Sequence, residues 1–68
     1  MKISARNQLQ GTVKGITRGD AIANVALEVA GQRLVASITV EAVEDLGLSE
    51  GTEVTAVIKA SDVMIATG

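Results

Sequence analysis

The sequence predicts an all-β fold: a small five-stranded Greek-key barrel with one short helix between the third and fourth strands. Three observations lead to this fold. Along Ala21–Ala30, apolar and polar side chains alternate as they do in a strand with one buried face. Further short apolar runs are separated by glycine-containing turns. Only along Val40–Leu46 does the apolar spacing change to three residues, which is typical of a helix.

The first strand is predicted over Leu9–Ile16, with Gly11 and Gly15 on one face. Strict alternation places Val13 on the same face as the glycines and Ile16 on the opposite face. Glycines inside a strand mark a sharp bend or a close backbone approach, as at the corners of a barrel. We therefore expect this strand to bend.

The second and third strands are predicted over Ala21–Ala30 and Leu34–Thr39, joined by a tight hairpin connection at Gly31-Gln32. The inward face of the second strand is predicted to consist of Ala23, Val25, Leu27 and Val29. The third strand is apolar on both faces, which predicts that it is buried by neighbours on either side.

The helix is predicted over Val40–Leu46, with Thr39 as its N-cap and Gly47 just after its end. The last two strands are predicted over Val54–Lys59 and Val63–Ala66. Five strands with a helix between the third and fourth form the element order of a barrel of the OB type.

The composition predicts one domain, residues 1–68, that depends on self-association. A chain of 68 residues buries little surface when it folds alone. Domains of this size commonly rely on disulfides, a metal or oligomerisation. The sequence contains no Cys, no His and no aromatic residue. Because disulfides and the commonest metal sites are thereby excluded, we expect a homo-oligomer.

Charge and hydropathy argue against nucleic-acid and membrane partners. The net charge is −2, whereas proteins that bind single-stranded nucleic acid stack bases on aromatic rings in a basic groove. No run of residues approaches the length of about 18 apolar residues that a membrane span needs. We expect a cytoplasmic protein with neither kind of partner.

Catalysis has little support in this sequence. Without His or Cys, a nucleophile and its base would have to be Ser with Lys, or two carboxylates. Glu41, Glu44 and Asp45 are predicted to form the solvated face of the helix, and they lack the ligand spacing of a calcium loop. We expect no catalytic residue.

Two polar motifs, Ser4-Ala5-Arg6-Asn7 and Lys59-Ala60-Ser61-Asp62, flank the strands. Each combines a hydroxyl, a cation and a small residue, so that N–H groups, hydroxyls and positive charge can surround an oxyanion. Together the two motifs can supply the several donors and the countercharge that a tetrahedral dianion needs. The alternative is structural: the cations are ordinary solvated side chains, and the serines only start turns.

Both motifs occur together in one known family, along with the segments that lie between them. The shared residues are Ser4–Leu9, Gly11, Val13, Ile16, Ile38-Thr39, Val43–Leu48, Gly51 and Ile58–Ala66. In these residues the chain closely resembles the molbindins, small bacterial molybdate-binding proteins also called the molybdenum-pterin-binding or Mop family. The resemblance covers essentially the whole chain and is closest to the free-standing storage form.

The resemblance implies an OB-like fold, a homohexamer built from dimers, and oxyanion sites at subunit interfaces for molybdenum storage or homeostasis. The bound ion would be molybdate or tungstate, held through its oxygens with no protein atom on the metal. The site residues that the resemblance implies are Ser4, Arg6, Lys59 and Ser61, with Ala5, Asn7 and Ala60 in support and Thr39 as a further donor. Ala42 stands where relatives often have Ser. No pterin is expected, because the chain has no aromatic ring to stack on it.

Two other functions are compatible with a barrel of this type. One is a regulatory or assembly module that binds a partner without a physiological oxyanion. The other is a nucleic-acid-binding domain, which the acidic composition disfavours.

Overall fold

The computed structural model describes all residues from Met1 to Gly68. Its elements are β1 (Asn7–Arg18), β2 (Ile22–Val29), β3 (Gln32–Thr39), a helix α1 (Val40–Asp45), β4 (Glu53–Ile58) and a single 3₁₀ turn (Ala60–Asp62). The four strands form one antiparallel sheet in the order β3-β2-β1-β4. The mostly β fold with one short helix after the third strand is confirmed.

The long strand β1 connects the two halves of the sheet. Its first half pairs with β4 and its second half pairs with β2. The register shifts between Val13 and Gly15, so that Val13 faces Leu27 while Gly15 faces Ala26. This bulge puts Ile16 on the core side together with Val13. The prediction that Ile16 faces away from Val13 was wrong, because an extra residue in one strand reverses the alternation beyond it.

Gly11 confirms the expected close approach. A Cβ atom at this position would lie 2.9 Å from Cγ2 of Val29 and 3.0 Å from the carbonyl oxygen of Glu28. Gly15 differs, because a Cβ there would have no neighbour within 4 Å. Only the first of the two glycines is required by close packing inside the sheet.

The hairpin between β2 and β3 turns one residue earlier than predicted. Ala30 and Gly31 form the two-residue loop, with φ angles of 49° and 80°, and Gln32 already belongs to β3. Two successive positive φ angles are typical of the type I′ turn, whose twist matches that of the flanking strands. A non-glycine residue in this conformation is strained.

The core is small and aliphatic, as the composition predicts. Its buried cluster consists of Val13, Ala23, Val25, Leu27 and Val43. The inward face predicted for β2 is confirmed, with Val29 packed at its margin. Helix α1 contributes Val43 to this cluster, and the backbone N–H of Ala42 donates to the Thr39 hydroxyl at 3.0 Å. The predicted N-cap is therefore confirmed, and Gly47 adopts the expected positive φ of 63°.

The predicted fifth strand is not confirmed. Val63–Ala66 has no regular secondary structure and no place in the sheet. Met64 and Ile65 are 93% and 87% exposed. In this single chain the segment has no strand beside it to supply hydrogen bonds, so β3 and β4 remain edge strands.

A wide apolar groove lies between these two edges. Its volume is about 420 Å³, and 12 of its 14 lining residues are hydrophobic. They come from β2, β3, β4 and the segment after α1, which supplies Leu46 and Leu48. No helix of the structure has the length and apolarity needed to cross a membrane.

Candidate functional site

The β1–β4 ladder brings the two polar motifs together at one end of the sheet. The last pair of this ladder joins Asn7 to Ile58. Because the strands are antiparallel, the chain just before Asn7 and the chain just after Ile58 leave the sheet side by side. Arg6 and Lys59, which are 53 positions apart, are therefore neighbours at this end of a single protomer.

The burial of Ala5 holds the first motif, Ser4–Asn7, against the rest of the protein. The Ala5 side chain is buried, with 8% of the residue exposed, whereas Ser4 and Arg6 on either side are exposed and Asn7 is half-buried. The side-chain amide of Gln8 donates to the carbonyl oxygen of Ala5 at 3.3 Å. The alanine thus anchors the bend from which a hydroxyl and a guanidinium project into solvent. Gln8 was not singled out from the sequence, although its spacing of three residues from Ala5 permits such a bond.

The second motif is a short 3₁₀ turn that follows β4. Lys59 is extended and precedes the turn, and its carbonyl oxygen accepts a hydrogen bond of 2.9 Å from the N–H of Asp62. The N–H of Val63 donates to the carbonyl oxygen of Ala60 at 3.3 Å. Ala60 and Ser61 stand at the start of the turn, where N–H groups have no partner within the helix. These two N–H groups and the Ser61 hydroxyl are therefore potential donors.

The two cations of the site carry no internal counter-charge. The structure contains one ion pair, in which Lys14 Nζ lies 3.3 Å from Glu28 Oε1, on another part of the sheet. Neither Arg6 nor Lys59 has a carboxylate within ion-pair distance. Both side chains are exposed, as is Asp62 at the end of the second motif. An anion that bound between the motifs would meet two unneutralised positive charges.

Thr39 lies away from these motifs in the strand ladders. The two motifs lie at the Asn7 end of β1, whereas the other end of β1 is marked by the pair Arg18–Ala23. Thr39 pairs with Ile22, one residue beyond that other end. Its hydroxyl oxygen accepts the α1 capping bond from Ala42 N–H. The hydroxyl hydrogen takes no part in that bond, so it can still be donated to a ligand. No strand pairing links Thr39 with the two motifs inside one protomer.

The arrangement can bind an anion but offers little else chemically. No three His, Cys, Asp or Glu side chains are grouped closely enough to hold a metal ion. Seven of the eight predicted site residues are exposed or half-buried, and only Ala5 is buried. One protomer therefore presents an open, positively charged corner and leaves any bound anion hydrated on its outer side.

Known proteins are similar to this chain in both sequence and fold. Residues 3–65 match the TOBE domain. Molybdenum-pterin-binding protein 3 of Clostridium pasteurianum is 56% identical over 66 residues, which cover 96% of this chain and 97% of the relative. The chain belongs to the TOBE-domain family of molybdenum-pterin-binding (Mop) proteins.

Two solved structures extend the likeness to three dimensions. The molybdate-binding protein of Sporomusa ovata is 43% identical, with a TM-score of 0.94 over 98% of this chain and 100% of that one. The cytoplasmic molybdate-binding protein ModG, crystallised with molybdate bound, is 44% identical, with a TM-score of 0.85. This second match covers 88% of the present chain and 43% of ModG. The predicted family resemblance is confirmed.

Proposed function

We propose that this protein binds molybdate, and tungstate as its analogue, reversibly at subunit interfaces of a homo-oligomer. Its role would be the storage or homeostasis of molybdenum in the cytoplasm. The 68 residues act as one binding domain in a hexamer built from dimers, and no step of catalysis is involved. A relative named as a molybdenum-pterin-binding protein, a solved neighbour named as a molybdate-binding protein and a second neighbour with molybdate bound support this proposal.

The observation that carries the proposal is the pairing of two cation-bearing motifs at one sheet end. The antiparallel register makes Arg6 and Lys59 neighbours, and neither is neutralised by a carboxylate. Hydrogen bonds between ionised donors and an oxyanion are shorter and stronger than neutral ones. A tetrahedral dianion needs further donors around its oxygens. We assign this role to the hydroxyls of Ser4 and Ser61 and to backbone N–H groups at Ala5, Asn7 and Ala60.

A second protomer is needed to enclose the ion. The donors of one protomer all lie on its surface, so water would compete with them for the anion. A facing protomer excludes that water, and lower local polarity strengthens each charge-assisted hydrogen bond. The unused hydroxyl hydrogen of Thr39 then reaches the ion from a second copy of the chain, since the ladders of one protomer do not bring it to the motifs.

The proposed ligand is the free oxyanion and not a pterin. An aromatic side chain is the usual surface on which such a ring stacks, and the chain has no Phe, Tyr or Trp. Fixed donors at the spacing of a large tetrahedral ion also discriminate by size, because sulfate reaches fewer of them at once. The expected order of affinity places molybdate and tungstate together, well above sulfate.

Calorimetric titration with molybdate, tungstate and sulfate tests the proposal. Loss of one charge-assisted bond costs about 1.5–3 kcal/mol, so Arg6→Ala and Lys59→Ala should each weaken molybdate binding roughly 10- to 150-fold. The double variant Ser4→Ala with Lys59→Ala should bind no measurable molybdate while its circular dichroism spectrum stays that of the wild type.

Matched controls separate the site from a general effect of charge. Arg33→Ala and Lys14→Ala each remove one exposed cation elsewhere on the sheet and should leave the affinity within about twofold. Equal heats for all three anions would refute the proposal, as would equal losses in the site and control variants. A partner protein that still binds Arg6→Ala and Lys59→Ala would favour the assembly-module alternative.

A further inference from the structure

A single side-chain hydrogen bond holds the chain before β1, and its donor lies outside the first motif. The amide nitrogen Nε2 of Gln8 donates to the carbonyl oxygen of Ala5 at 3.3 Å. Residues 1–6 lie outside the strands and helices, and no backbone hydrogen bond involves them. No other side-chain bond reaches them either. Among hydrogen-bonding groups, the Gln8 amide alone fixes the conformation of this segment.

Two contacts act on Ala5, and each fixes a different degree of freedom. Burial of the alanine side chain, with 8% of the residue exposed, fixes where its Cα atom lies. Burial leaves rotation about the Cα–C bond free, and this rotation turns the peptide plane that follows. The bond from Gln8 removes this second freedom, because it holds the carbonyl oxygen of that plane.

The held peptide plane sets the direction of the Arg6 N–H group. A trans peptide unit is planar, so its N–H points to the side opposite its C=O. Because Gln8 holds the carbonyl oxygen of Ala5, the N–H of Arg6 is directed away from the Gln8 amide. This N–H donates to no acceptor within the chain. It is therefore an oriented and unpaired backbone donor in the middle of the motif that carries the guanidinium.

We propose that Gln8 is a positioning residue for the oxyanion: by holding the Ala5 carbonyl, it directs the Arg6 N–H towards the ion without touching the ion itself. The inference deepens the proposed function and rests on it. Donors that are already aimed at a ligand lose less conformational freedom when it binds. Without the Gln8 bond, only a fraction of the molecules present this donor, and the apparent affinity falls by that fraction.

Gln10 provides a matched control in the same strand. The two glutamines lie two residues apart on one face of β1, and both are exposed. Each donates one side-chain hydrogen bond, but Nε2 of Gln10 donates to the Thr55 hydroxyl at 3.1 Å, inside the β1–β4 ladder. Replacement by Met keeps an unbranched side chain of similar length and removes the amide donor. Gln8→Met and Gln10→Met therefore differ in which bond is lost.

Calorimetric titration of the full-length chain with molybdate measures the effect on binding. Gln8→Met should weaken binding about 2- to 12-fold, the equivalent of one net hydrogen bond of about 0.5–1.5 kcal/mol. Gln10→Met should bind as the wild type does, and the circular dichroism spectra of both variants should match that of the wild type. Equal molybdate affinities for the two variants would overturn the proposal.

A second measurement needs no anion and follows the peptide plane directly. In molybdate-free buffer, the ¹⁵N relaxation order parameter of the Arg6 N–H should be about 0.85 in the wild type and in Gln10→Met, as in rigid backbone. In Gln8→Met it should fall towards about 0.6, because rotation of the plane is restored. Equal order at Arg6 in all three proteins would contradict the proposal. A loss of order spread over the whole sheet would contradict it too, since that marks a general loss of stability.

The two measurements separate this inference from the proposed function. If the wild type gives no heat with molybdate while Gln8→Met still loosens the Arg6 N–H, the proposed function fails and Gln8 still fixes the bend. If molybdate binds equally well to the wild type and to Gln8→Met, the inference fails and the proposed function stands.

Discussion

Replacing the two glycines of β1 by alanine should have opposite effects on stability. At Gly11 the new methyl group would lie 2.9 Å from Val29 Cγ2 and 3.0 Å from the carbonyl oxygen of Glu28. The carbonyl belongs to the paired strand β2, so it cannot move without disturbing the ladder. Overpacking of this kind costs about 1–3 kcal/mol, which outweighs the roughly 0.5–1 kcal/mol that alanine gains over glycine inside a strand.

At Gly15 the same methyl group meets no atom within 4 Å, and the backbone angle is not one that alanine avoids. Only the gain from a less flexible unfolded chain remains, about 0.4–1 kcal/mol in favour of the folded state. Gly15→Ala is therefore the matched control for Gly11→Ala, four residues away in the same strand.

Urea unfolding at one fixed protein concentration measures both effects. For a small protein the slope is about 1 kcal/mol per molar urea, so the net loss at Gly11→Ala should lower the midpoint by up to about 2.5 M, with about 1 M in the middle of the range. Gly15→Ala should raise it by up to about 1 M on the same basis. Equal midpoints for the two variants, or a lower midpoint for Gly15→Ala, would refute the assignment of close approach to Gly11 alone.

Three further substitutions test single contacts by the same assay. Thr39→Ala removes the hydroxyl that caps α1 through Ala42 N–H and should cost about 1 kcal/mol, whereas Thr39→Ser should keep most of it. Ala30→Gly relieves a positive φ of 49° and should raise the midpoint slightly, since the strain of about 1–2 kcal/mol exceeds the added chain entropy; a lower midpoint would contradict the type I′ turn. Lys14→Ala breaks an exposed ion pair with Glu28 and should change stability by less than about 1 kcal/mol; a larger loss would mean that this pair is structural.

The sequence predicted those elements whose signal is local. Three such features are the alternation in β2, the capping hydroxyl of Thr39 and the positive φ of Gly47. Each depends only on residues that are close in sequence. The close approach at Gly11 was also predicted, because a glycine inside a strand commonly marks a bend or a point where another backbone comes near.

The bulge in β1 could not be read from the pattern, since Lys14 fits a regular strand as well as an irregular one. The register shift becomes visible only when β1 is paired with β2, and this shift turns Ile16 towards the core. The type I′ turn was displaced by one residue because Ala30 resembles a strand residue until its φ angle is known.

Both motifs of the candidate site were predicted from their residue types, a hydroxyl, a cation and a small residue in each, with a structural role as the alternative. The family resemblance added Thr39 and favoured oxyanion binding over the structural role. The pairing of Asn7 with Ile58 then gave a physical reason for the two motifs to act together. Thr39 could not be tied to them in this way, because its place in an assembly depends on surfaces that one chain does not contain.

Anomalous scattering from a crystal grown with tungstate is the most decisive test of the proposed site, because tungsten locates the ion without reference to the protein. We expect a peak at a boundary between protomers, with the tungstate oxygens about 3 Å from donors of the Ser4–Asn7 and Lys59–Ser61 motifs. A peak elsewhere, with both motifs facing bulk water, would contradict the proposed site.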